Sequence, residues 1–183
     1  ADSSISNYGT FTNFGVVMGG AIINQVGGVF NNYAGTDIGA DPFTVVTNDG
    51  TLNIGYGNPS IATTNLYGAI TQSSTGSLAI RADFATGTSD QLHVSGDATV
   101  GGTVVVTPLN LSSAGGHTLV FPAVISASTI FWNNPTVADT AVIDYELLMP
   151  NATQIDLQAT VNFLGLGGGM TPNQRSVAGG LNN

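Results

Sequence analysis

Between Ser89 and Val106 the chain passes through three very short segments in which alternate residues are apolar: Leu92 and Val94, Ala98 and Val100, Val104 and Val106. Ser95-Gly96-Asp97 and Gly101-Gly102 separate them. A period of two reads as strand, and strands this short cannot bury a face alone. Stacked coil upon coil they can, each arm pairing with the arms above and below, which is the logic of a parallel β-helix.

The first third repeats that logic with other residues. Ile5-Ser6-Asn7-Tyr8-Gly9, Phe11-Thr12-Asn13-Phe14-Gly15, Ile23-Asn24-Gln25-Val26-Gly27 and Phe30-Asn31-Asn32-Tyr33 follow an apolar, polar, Asn/Gln, apolar, Gly pattern that is too short for helices. Gly and Asn tolerate the positive φ of tight corners, so each unit reads as one arm plus one corner. Three arms make a coil of about twenty residues, within the range of solenoid repeats. Asn at equivalent corners of successive coils is expected to stack into an amide ladder.

Gly39-Ala40-Asp41-Pro42 and Asn58-Pro59-Ser60 read as loops that interrupt the stack. From Leu66 the strands lengthen, and Thr118 to Trp132, richer in Val, Ile and Phe, reads as terminal coils or a hairpin cap. Gly165-Leu166-Gly167-Gly168-Gly169 reads as a flexible connector, and no amphipathic helix of useful length is expected. The chain thus divides into Asn/Gly-rich coils over 1–65, C-terminal coils over 66–164 and a Gly-rich connector over 165–183.

Composition narrows the function. At 183 residues the chain fits one domain. Only 7% of residues are charged, so Ser, Thr, Asn and Gly must keep the surface wet, as in secreted β-rich chains. With net charge −9 and no lysine, the attraction that drives nucleic-acid binding is reversed in sign. Anionic membrane surfaces are disfavoured for the same reason, and no run approaches the roughly twenty apolar residues of a spanning helix. The absence of cysteine removes disulfides and thiolate metal sites.

A series of segments, in order over the last two thirds, resembles the C-terminal, barrel-proximal passenger region of bacterial autotransporters, the pertactin-like secreted β-helix class. They are Tyr67-Gly68, Thr71-Gln72, Gly76-Ser77-Leu78-Ala79-Ile80, the Asp90 to Gly96 run, His117-Thr118-Leu119-Val120, Ile143 to Leu147, Ile155-Asp156-Leu157 and Met170-Thr171-Pro172-Asn173-Gln174-Arg175-Ser176-Val177-Ala178. The resemblance implies a right-handed parallel β-helix with an autochaperone-like C-terminal region that folds first. It also implies location outside the cell or on the surface of a Gram-negative bacterium, a membrane barrel beyond this segment, and adhesion or structural display without catalysis. The partners implied are a host or neighbouring-cell surface, or further copies of the chain. Asn182-Asn183 is similar to the asparagine pair at which some autotransporters release their passenger.

The sharpest catalytic candidates are Asp144 and Glu146. Two residues apart on a strand, they share one face about 6.5 to 7 Å apart, near the carboxylate separation of inverting glycosidases. This supports the alternative of a glycan-active β-helix enzyme. In the plainer reading, Ile143, Tyr145 and Leu147 point inward and the two acids wet the outer face. A self-assembling extracellular filament subunit is the other alternative, because the first arms begin at Ile5 with no lysine to block edge pairing.

The remaining polar groups read as structural. Arg81, two residues before Asp83, reads as a surface ion pair worth about 0 to 1 kcal/mol. His93 is expected to face solvent, and His117 follows Gly115-Gly116 at a corner, neither in the spacing of a zinc helix. Asp37, Asp41 and Asp49 lack the glycine-rich nonapeptide context of calcium-binding β-rolls. No Gly-x-Ser-x-Gly elbow occurs. No residue is therefore assigned to catalysis, a cofactor or a metal.

Overall fold

A computed structural model describes residues 4–18, 20–164 and 171–182. The strands come in turns of three. The first turn holds β1 (Ser4–Asn7), β2 (Thr10–Asn13) and β3 (Val16–Val17), and the second β4 (Ala21–Asn24), β5 (Val29–Tyr33) and β6 (Asp37–Ile38). The third holds β7 (Val45–Asn48), β8 (Thr51–Tyr56) and β9 (Thr63–Leu66). The fourth holds β10 (Ala69–Gln72), β11 (Ser77–Asp83), a short β12 (Thr88–Ser89) and β13 (Gln91–Val94). The fifth holds β14 (Asp97–Val100), β15 (Thr103–Leu109) and β16 (Thr118–Ser126). After them come β17 (Thr129–Trp132), β18 (Thr136–Val137), β19 (Ile143–Asn151), β20 (Gln154–Val161) and helix α1 (Pro172–Leu181).

Each turn contributes one arm to each of three sheets. The first sheet runs β1-β4-β7-β10-β14-β17, the second β2-β5-β8-β11-β15-β18 and the third β3-β6-β9-β13-β16, continued by β20 and β19. All pairings within the turns are parallel except that of β12 on β11. The fold is therefore a stack of parallel sheets compatible with a β-solenoid. Ser4 stands opposite Ala21, Ala21 opposite Val45, and Asp97 opposite Thr129, so a turn grows from 17 residues to 32 along the stack.

Period two puts one side of every arm inside. Ile22, Val46, Ile70 and Ala98 form one column, and Phe30, Leu52, Leu78 and Val104 another, all buried. Full burial of each such Leu, Ile or Phe contributes about 1.5–3 kcal/mol. In the first three N-terminal units the inward slot at the end of the arm falls on Asn7, Asn13 or Asn24, and the next apolar residue turns outward. Tyr8, Phe14 and Val26 are accordingly 75%, 70% and 70% exposed, not core.

The expected amide ladder is present, and it lies inside the coil. Asn7 donates to Asn24 (2.8 Å), Asn24 to Asn48 (2.8 Å), Asn48 to Gln72 (3.2 Å), and Gln72 ends the column on the Gly101 carbonyl (2.6 Å). A second column runs from Asn13 through Asn32 (2.7 Å) to the Thr64 hydroxyl (3.1 Å). These amides also hold corner carbonyls: Asn24 donates to Thr51 and Asn48 to Ser77, both at 3.0 Å. Buried donors and acceptors left unpaired are costly, so the ladder makes a polar interior tolerable.

Glycine beside the ladder serves closeness more than positive φ. A Cβ on Gly50 would press on the Gly28 carbonyl, and one on Gly76 on the Asn48 carbonyl, closer than real Cβ atoms approach. Neighbouring coils can thus hydrogen-bond through Thr51 N to Gly28 O (2.8 Å) and Ser77 N to Gly50 O (2.7 Å).

The stack ends differently. β16 pairs in parallel with β13 through Leu92–Ile125, but antiparallel with β20, which pairs antiparallel with β19. Pro122 lies in β16 where the register shifts, and Ala123 takes φ 53° there while its N–H donates to Asp156 at 2.8 Å. A bulge accommodates a proline that a regular ladder would reject.

Within the stretch expected to be a flexible connector, the chain forms the short helix α1. Thr171 accepts from Gln174 N (3.3 Å), Gln174 Oε1 accepts from Thr171 N (2.9 Å), and Pro172 opens the helix. Thr-Pro-Asn-Gln is a capping box with proline at the first helical position, a signal present in the sequence. Apolar periodicity is weak there, since only Ala178 is buried. Of the expected connector, residues 165–170 and Asn183 lie outside the described residues, and with Asn183 the second member of the Asn pair. Asn182 ties the helix end to the stack, donating to Asn162 Oδ1 (3.2 Å) and accepting from Phe163 N (2.9 Å) and Gly116 N (3.1 Å).

Candidate functional site

Asp144 and Glu146 project from the solvent side of β19, while Ile143 and Tyr145 are buried behind them. Register sets Asp144 beside Thr160 and Glu146 beside Gln158, whose amide donates to Glu146 at 3.3 Å. A hollow beside β19 holds Asp144 with Asp139, Thr140 and Asn162, and Glu146 does not line it. The two acids share a strand face as expected, and this hollow takes in Asp144 alone.

Between them Tyr145 is buried, and its hydroxyl has no partner among the described residues. Burial pushes this phenol up to about 12. The folded value is above the unfolded one, so below pH 10 both states keep the proton and the group adds no pH dependence. As pH rises from 10 toward 12, the unfolded phenol ionises first and the fold loses stability. Stability is expected to fall by about 2 kcal/mol across that window, measurable by urea unfolding at stepped pH. Tyr145→Phe should remove that pH dependence and raise stability near neutral pH by about 1 kcal/mol.

The pairing expected for Arg81 is corrected. Its partner is Asp90, not Asp83: Nε donates to Asp90 Oδ2 at 2.7 Å and Nη2 to Oδ1 at 2.8 Å. Asp90 is fully buried and also accepts from Arg81 N (2.9 Å) and Ala62 N (3.0 Å). Arg81 further donates to the carbonyls of Asn58 and Ser60, the latter at 2.8 Å. The excursion after β11 folds β12 back antiparallel, Ala82 opposite Ser89, and this carries Asp90 to Arg81. Alternation along a single strand favoured Asp83, whereas a local hairpin, closed by Gly87 N on the Asp83 carbonyl at 2.9 Å, turns the chain back and brings Asp90 to Arg81. Asp83 instead holds that turn, and the Asn110 amide followed by Ala85 N–H lowers its carboxyl below the ordinary value.

His93 faces solvent as expected, and His117 is exposed ahead of β16. Stacking gives His93 a contact that the sequence did not suggest: its Nδ1 is 2.8 Å from Ser126 Oγ, one turn away. On the same outward side of the third sheet, Asn65 donates to Asp37 at 3.0 Å. An imidazole next to a hydroxyl is the first element of an activated nucleophile. Here the pair lies on an open sheet face, and the other ring nitrogen meets no carboxylate among the described residues. Of the calcium candidates, Asp37 takes this Asn65 bond and Asp41 accepts from Phe43 N at 2.9 Å. Among the described residues, no three His, Cys, Asp or Glu side chains converge, and no helix is long and apolar enough to cross a membrane.

The outward side of the second sheet carries an open groove. Asn53 and Tyr56 of β8, Arg81 of β11 and Thr107 of β15 line it, and the loop at Asn58 and Pro59 forms its wall. The loop expected at Asn58-Pro59-Ser60 is therefore real, and the Arg81–Asp90 pair fastens it. Comparison with protein-family models and with curated proteins finds no match.

Proposed function

We propose that this chain is a non-enzymatic extracellular scaffold, a right-handed β-helix of the autotransporter-passenger type acting in adhesion or structural display at the surface of a Gram-negative bacterium. The observation that carries it is the continuous stack itself: a rod held by buried amide columns, with a nearly uncharged outside. Right-handedness follows the strong preference of parallel crossovers. In this reading β19 and β20, laid antiparallel on β16, cap the stack, and residues 66–164 are the region that folds first. The resemblance of residues 67–178 to barrel-proximal passenger segments supports the location. The Asn side chains of the first turns serve the interior, so contact with a partner falls to the outward residues between them.

External protease applied to intact producing cells should remove the chain. Digestion only after lysis overturns the reading. The glycan-enzyme alternative, which relies on Asp144 and Glu146, requires sugar release that Asp144→Asn or Glu146→Gln abolishes. The filament alternative draws on β1, β2 and β3, which each end their sheet; it requires association in sedimentation that lysines at the exposed Ser4 and Ser6 suppress.

A further inference from the structure

We infer that the groove on the second sheet binds a neutral oligosaccharide, with Tyr56 as its stacking platform. The inference rests on the display reading and names the class of ligand displayed to.

The groove's chemistry is aromatic and amide, without free charge. Tyr56 is 38% exposed and lines the groove together with Pro59 of the loop. Asn53 and Asn58 each commit their carbonyl oxygen to a local backbone N–H, Gly55 at 3.3 Å and Ser60 at 2.9 Å. Neither amide nitrogen has a partner among the described residues, so both remain donors for a ligand. The one cation present, Arg81, is neutralised by buried Asp90 and spends four of its five N–H groups within the chain. An anionic ligand would find no unpaired charge there. A pyranose offers a C–H face, which suits the electron-rich face of a tyrosine ring, and hydroxyls, which suit side-chain amides.

The aromatic surface also continues along the stack. Tyr33 stands opposite Tyr56 in register, its ring packs against Gly57, and Phe14 lies 5.7 Å from Tyr33 between ring centres. Coils are about 4.8 Å apart, a spacing close to that of successive sugar rings. A chain ligand would run along the rod.

The test is calorimetric titration of the 183-residue chain with cellohexaose, mannohexaose and chitohexaose, and with hexagalacturonate as the anionic arm. At least one neutral hexaose should bind saturably with Kd below about 1 mM. Tyr56→Ala should weaken that binding at least tenfold. Thr107→Trp, an exposed position whose new ring fills the groove, should abolish it without touching the core. Phe131→Ala, an exposed aromatic on the first sheet, should leave it unchanged. The inference is overturned if no neutral hexaose binds, if hexagalacturonate alone binds, or if folded Thr107→Trp binds as the parent does. A chain that external protease reaches but that binds no sugar overturns this inference alone; one that binds sugar but stays inside the cell overturns the display reading instead.

Discussion

Asp90→Ala is expected to destabilise the fold by about 3–5 kcal/mol, because a guanidinium largely out of water is then left without its counter-charge. The substitution removes all four hydrogen bonds that converge on a fully buried carboxylate. It also frees the loop that Arg81 holds through the Asn58 and Ser60 carbonyls. Urea unfolding followed by circular dichroism reads the loss, and the thermal midpoint should fall by roughly 10 °C. The double change Arg81→Leu with Asp90→Leu should cost clearly less than Asp90→Ala, since no isolated charge remains. If Asp90→Ala cost under 1 kcal/mol, the pair would be a surface ornament of the kind sequence spacing suggests. Gly55→Ala offers an independent approach to the same site: its new Cβ would press into the Asp90 carboxylate and lie 2.6 Å from Arg81 Nε.

The second large effect belongs to the amide ladder. Asn48→Leu keeps the volume close to that of the native side chain and removes every polar atom. Asn24 then loses an acceptor, Gln72 a donor and the Ser77 carbonyl a donor, all in a dry interior. Three broken bonds at about 1 kcal/mol each, plus the desolvation of groups left unpaired, give an expected loss of about 3–5 kcal/mol. Thr47→Ala, one residue earlier on the outward face, should cost under 1 kcal/mol. Equal losses at the two positions would mean that the ladder contributes nothing specific. The same column continues with Val100 and Trp132, and Gln72 tolerates Val100 beside it because its amide donates to the Gly101 carbonyl instead. An amide left without a partner inside the column is what costs.

Local repetition made much of this legible. Arm length, corner positions and the alternation of Leu92, Val94, Ala98, Val100 and Val104 all follow from period two and from glycine spacing, because each arm's environment repeats from coil to coil. The Asn ladder was readable for the same reason. The pattern left open whether Tyr8, Phe14 and Val26 belong to arm or corner, because an apolar type marks the inside of a strand but says nothing at a corner. The α1 helix was readable in Thr171-Pro172-Asn173-Gln174, although periodicity was too weak to reveal it.

By itself the sequence determined that the chain stacks: short alternating strands and tight corners leave no other way to bury their apolar sides. Which turn lies over which was decided only in three dimensions, because turns of 17 to 32 residues do not announce their register. That register set Ser126 beside His93 and Tyr33 opposite Tyr56, while the reversal of β12 on β11 within one turn set Asp90 rather than Asp83 against Arg81. The pairing of β19 with β20 left Asp144 and Glu146 on one exposed strand face. Contacts between residues one coil apart depend on the length of every loop between them, and no local pattern carries that information.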